Sequence, residues 1–88
     1  MPYNRMQYAH ERREWIKQVD EMLPQIEAHA STLQIEAQMQ WENWQKLPLA
    51  YQAMPFTRML IRDCYDAARA ELMRCIYYKA MREANRDD

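Results

Sequence analysis

The sequence predicts an all-α protein, an antiparallel helical hairpin with a long first arm, on three observations. Glycine is absent from all 88 residues, which leaves few low-cost routes to positive φ and to the tight turns that join β-strands. Apolar residues recur every three or four positions along two long stretches, the period of a helix. Between them, Leu47 to Pro55 holds Pro48 and Pro55 and no charge, the composition of a connection. One domain spans residues 1–88, and a chain of this size is only marginally able to bury a core without help.

In the first stretch, Tyr8, Trp15, Ile16, Val19, Met22, Leu23, Ile26, Ala30, Leu33, Ala37, Trp41 and Trp44 fall within roughly a third of the circumference at about 100° per residue. From Ile16 to Ala37 the intervals alternate three and four, as in a coiled-coil seam. This predicts a helix from about 4 to 46. Pro24 lies inside it, and an interior proline removes a backbone hydrogen bond and crowds the preceding turn. Ser31 and Gln34 have the spacing of a capping box, a second place where a helix could start. A break near Pro24 or Ser31 would give a three-helix bundle instead. The stripe keeps its phase across both positions, which favours one kinked helix.

A second helix is predicted from about 55 to 84, with Pro55 suited to its first turn. Phe56, Leu60, Ile61, Cys64, Tyr65, Ala68, Leu72, Cys75, Ile76 and Tyr78 form its expected core face. The tail, residues 85–88, is polar and expected to fray. Residues 18–45 carry a local charge of −5 and residues 55–86 one of +3. An antiparallel pairing sets these opposite signs face to face; each exposed pair is weak, so charge selects orientation more than it stabilises.

Composition removes several classes of function. Without glycine there is no phosphate-cradling loop and no dinucleotide fingerprint. A net charge of −1 gives no bulk attraction to nucleic acid or anionic lipid. Cys64 and Cys75, eleven residues apart on one helix, are separated by about 16 Å along the axis and cannot pair. They read as reduced core thiols. No run is long and apolar enough to span a bilayer, and the N-terminus lacks a basic region followed by an apolar core. A cytoplasmic protein with no membrane association is the expectation.

Three surfaces are candidates for binding. Ala70, Met73, Tyr77 and Met81 make a second apolar stripe on the last helix, nearly opposite its core face; a helix apolar on two sides needs two neighbours. Trp41, Trp44, Tyr51, Met54 and Phe56 gather at the connection, either as a plug closing the hairpin end or as an aromatic anchor for a partner. Arg58, Arg62 and Arg69 share one face, the footprint of phosphate contacts, although Asp63, Asp66, Glu71 and Glu83 interleave with the basic residues of this helix as on an ordinary solvated face.

Catalytic and metal chemistry find little support. The segment His10-Glu11-Arg12-Arg13-Glu14 begins like a two-histidine helical zinc motif but ends in glutamate where the second ligand belongs. Glu27 and His29, two apart, fall on different faces and do not form the Glu-x-x-His pair of di-iron bundles. The connection offers no acid, base or nucleophile stronger than Tyr51. The sequence therefore points to a non-enzymatic protein-interaction module, an adaptor, assembly subunit or inhibitor, without cofactor or metal, that self-associates or binds another protein through Met73, Tyr77 and Met81. The alternatives are a nucleic-acid-binding helical dimer using Arg58, Arg62 and Arg69, and a purely architectural self-assembling subunit.

Overall fold

The structure, a computed structural model, describes residues 5–86. Helix α1 runs from Arg5 to Gln45, a one-turn helix α2 from Leu49 to Gln52, and helix α3 from Pro55 to Asn85. The expected start of the first helix at residue 4, and Asp87 and Asp88 of the tail, lie outside the described residues. Among the described residues there is no strand.

Helix α1 continues through Pro24 and through Ser31 without a break. The fold is therefore the hairpin and not the three-helix bundle. Pro24 is exposed, so its ring points to water and the lost backbone bond falls on the side away from α3. Ser31 caps nothing because the chain never leaves the helix there. Its neighbour Thr32 returns its hydroxyl to the Ala28 carbonyl at 3.1 Å, a bond compatible with a helix interior.

The turn is closed by side chains. Gln52 donates from Nε2 to the carbonyls of Gln45 (3.0 Å) and Leu47 (2.8 Å), satisfying acceptors that the end of α1 leaves without intrahelical donors. Pro55 is at the start of α3 with Met54 as an extended N-cap that offers no side-chain bond. Thr57 Oγ1 donates instead to the carbonyls of Tyr51 (2.7 Å) and Met54 (2.9 Å), holding α2 against the first turn of α3.

Cross-helix partners fix the antiparallel register. Gln38 accepts from the Tyr65 hydroxyl at 3.2 Å, Glu27 pairs with Lys79 at 2.6 Å, and Asp20 pairs with Arg82 at 2.9 Å. Positions descend along α1 as they rise along α3, and the acidic arm meets the basic one. The core is a single seam: Val19, Leu23, Ile26, Ala30 and Ala37 of α1 are buried against Ala68 and Cys75 of α3, with Trp15, Met22 and Tyr78 packed at its edges. Cys64 is half-buried and Cys75 buried, both free thiols.

The expected core face of α3 is wider than the one observed. Phe56, Leu60, Tyr65, Leu72 and Ile76 are exposed. One neighbouring helix covers only a narrow arc, and the arc here centres on the small residues Ala68 and Cys75, which allow close approach. The bulkier apolar residues on either side are left at the rim or beyond it.

Candidate protein-interaction site

The side of α3 opposite the seam carries Ala70, Met73 and Tyr77, all exposed. Met73 is 56 % and Tyr77 58 % exposed, as expected for a stripe opposite the seam. Met81 is half-buried. The register sets Asp20 beside Arg82, so the first turns of α1 extend beyond the end of α3. There Tyr77, Met81 and Asn85 join Tyr8, Glu11, Arg12 and Trp15 around an open groove of about 510 Å³. The Arg12 guanidinium lies 5.7 Å from the Tyr8 ring centre, and Tyr77 meets Tyr78 edge to face at 5.5 Å. Asn85 donates to the Met81 carbonyl at 2.7 Å, fixing that turn.

The sequence places Tyr8 and Trp15 in the core stripe; Trp15 is half-buried, but Tyr8 is 53 % exposed, because it lies on the part of α1 that overhangs the end of α3. Their place beside Tyr77 and Met81 follows from the unequal arms, 41 residues in α1 against 31 in α3.

At the turn, the aromatic corner divides. Trp41 and Trp44 are half-buried and stacked, ring centres 5.1 Å apart at 20°, and so belong to the plug. Tyr51, Met54 and Phe56 are exposed. Trp44 Nε1 is shielded from water and lacks an acceptor. It lies between two shallow apolar clefts, one bordered by Leu47, Leu60 and Ile61, the other by Trp41, Arg58 and Arg62.

The basic row is present but not isolated. Arg58, Arg62 and Arg69 are exposed, and Arg62 pairs with Asp66 one turn on at 3.7 Å. Lys79 and Arg82 are drawn to α1 by Glu27 and Asp20, and Arg86 to Glu83 at 3.2 Å.

The titratable groups serve the register. His29 donates from Nδ1 to Glu71, which also accepts from Arg74 at 3.3 Å. The His29 hydrogen bond, then the Arg74 guanidinium, hold the Glu71 carboxyl below the usual glutamate range. The Lys79 ammonium does the same for Glu27, and Glu27 in turn raises Lys79. Glu27 and His29 thus reach opposite sides of the seam. A carboxyl whose folded pKa is depressed stabilises the fold above its unfolded pKa and loses that contribution as pH falls through the folded value. Thermal stability is expected to fall on the acid side of the ordinary glutamate range, more steeply than in Glu27→Gln with Glu71→Gln, as read by melting curves across pH. A raised lysine acts in the other direction, its contribution lost above the usual lysine range.

Among the described residues, no three His, Cys, Asp or Glu gather in a group able to hold a metal, and no helix is long and apolar enough to cross a membrane. No protein-family model, no curated protein and no solved structure matches this chain.

Proposed function

We propose that the chain is a non-enzymatic cytoplasmic interaction module, an adaptor, assembly subunit or inhibitor of a larger protein. It acts through the Met73, Tyr77 and Met81 side of α3. The exposed Tyr51 and Phe56, backed by Trp41 and Trp44, form a secondary contact. The observation that carries this reading is that α3 holds large apolar residues well outside the arc covered by its one long neighbour, interleaved with charged ones. Leu60, Tyr65, Leu72, Met73, Ile76 and Tyr77 are all exposed while Ala68 and Cys75 alone are buried. Large apolar side chains left uncovered on a helix mark a surface for a further neighbour. Methionine adapts to an irregular surface, and tyrosine supplies a stiff apolar body with a polar tip.

The test is a photoreactive benzoyl-phenylalanine in place of Tyr77, irradiated in the cells that make the protein. A discrete adduct heavier than the 10.8 kDa chain and different in mass from its dimer is the expected result. Irradiation that leaves only the free chain, with the same probe active at a buried control position, refutes the reading.

A further inference from the structure

The outward residues of α3 hold a pattern beyond general apolarity. Tyr65, Leu72, Met73, Ile76 and Ala80 are all exposed and lie on one strip, roughly a quarter to a third of a turn round from α1 at about 100° per residue. Arg62 and Glu83 stand at the two ends of the strip and Arg69 near its middle, with Asp66 and Lys79 on its flanks. When the helix is reflected about the point between Leu72 and Met73, Arg62 falls on Glu83, Asp66 on Lys79, Tyr65 on Ala80 and Leu72 on Met73. These are the neighbours that an antiparallel copy of the same helix presents across a twofold axis. Opposite charges meet at the ends, and a large residue meets a small one within.

Between residues 60 and 85 every charged position except Arg69 reflects onto the opposite charge. The remaining pairs, Asp63 with Arg82 and Glu71 with Arg74, point away from the strip and add only to the long-range field. Arg69 reflects onto Ile76, where its methylene stem covers an apolar side chain while the guanidinium stays in water. Parallel pairing would instead set each charge beside its own copy. The pattern therefore selects both the partner and its direction.

We propose that this strip is a self-complementary seam through which two copies of the chain form an antiparallel α3–α3 dimer. The result is a four-helix assembly, with the polar edge of α1 at Ser31, Gln34 and Gln38 on its rim. The surface area agrees. The chain exposes 7284 Å², against about 5,500 Å² for a compact protein of its mass, and its radius of gyration is 19.9 Å against about 12 Å. Stable homodimers bury roughly 1,000 Å² or more per subunit, which fits within that excess. Tyr77 and Met81 lie roughly a quarter and a third of a turn round α3 from the middle of the strip, and Met73 borders both surfaces. Arg62 and Glu83 belong to the seam alone, so the charge exchange between them and the photoadduct at Tyr77 test the two readings separately.

The test is absolute mass by light scattering across a hundredfold dilution, with helicity followed by circular dichroism. The wild type is expected at twice 10.8 kDa, and Met73→Glu at the single-chain mass with its helix content retained. Arg62→Glu and Glu83→Arg, each on an exposed side chain, are each expected to weaken the dimer on the order of tenfold, and together to restore it to within about threefold. The two positions are about 31 Å apart along one helix, so restoration has to pass between chains. A wild-type monomer, an assembly larger than two, a dimer indifferent to Met73→Glu, or a double variant no tighter than the singles would each overturn the seam.

Discussion

Replacing Pro24 with alanine is expected to raise the midpoint of thermal unfolding by roughly 10 °C. The expectation follows from three terms. A proline in a helix interior costs about 3 kcal/mol, because the Asp20 carbonyl one turn back loses its donor and is crowded by the ring. Proline repays about 1 kcal/mol by restricting the unfolded chain. Burial contributes nothing, since Pro24 is exposed and lies outside the core cluster. The net gain of about 2 kcal/mol corresponds to roughly 8–16 °C in a chain of this size. The melt has to be compared at fixed chain concentration, because association shifts apparent stability. A lower midpoint would mean that the distortion at Pro24 is what lets the first turns of α1 follow α3. In that case the change would also move Trp15, whose fluorescence, read with Trp41 and Trp44 replaced by phenylalanine, reports the groove.

Much of the hairpin was legible in the sequence, and the part that was not has a physical cause. The stripe of α1 is narrow and keeps one direction for its whole length, so Val19, Leu23, Ile26, Ala30 and Ala37 could be placed in the core and are buried. Charge gave the orientation, and Asp20–Arg82 and Glu27–Lys79 embody it. Helix α3 is different. Its large apolar residues extend well outside one face, and a one-dimensional pattern then records how much surface a helix can bury but not which part its first neighbour takes. Leu72 and Ile76 looked like core for that reason, while the choice between helix faces was made by Ala68 and Cys75, whose small size permits close contact. The three-helix alternative rested on local signals, Pro24 and the Ser31–Gln34 spacing. Both were overridden by packing along an uninterrupted seam. The groove between Tyr8, Trp15, Tyr77 and Met81 joins residues assigned to two different stripes, and only the tertiary register brings them together.

Two leucines that look alike in the sequence are expected to behave oppositely when cut to alanine. Leu23 is 3 % exposed and lies in the cluster with Val19, Ile26 and Cys75. Leu23→Ala removes buried methyl groups and leaves a void that a thin two-helix seam fills poorly, at a cost of about 2–5 kcal/mol. Total stability for a chain of this length is only about 4–13 kcal/mol. The loss is therefore a large fraction of the whole, and is expected to appear as a lower urea midpoint and reduced helicity at physiological temperature. Leu72 is 48 % exposed. In the isolated subunit its truncation should change stability by no more than about 0.5 kcal/mol, as for a surface position. Any larger effect of Leu72→Ala has to come from surface covered in the assembly, and it should then grow with chain concentration. Denaturation of the two variants at two concentrations separates these cases. Leu23→Ala lowers the midpoint by the same amount in both, whereas the deficit of Leu72→Ala depends on how much of the chain is associated. A concentration-independent loss at Leu72 equal to that at Leu23 would place Leu72 in the subunit's own core and contradict the hairpin's single narrow seam.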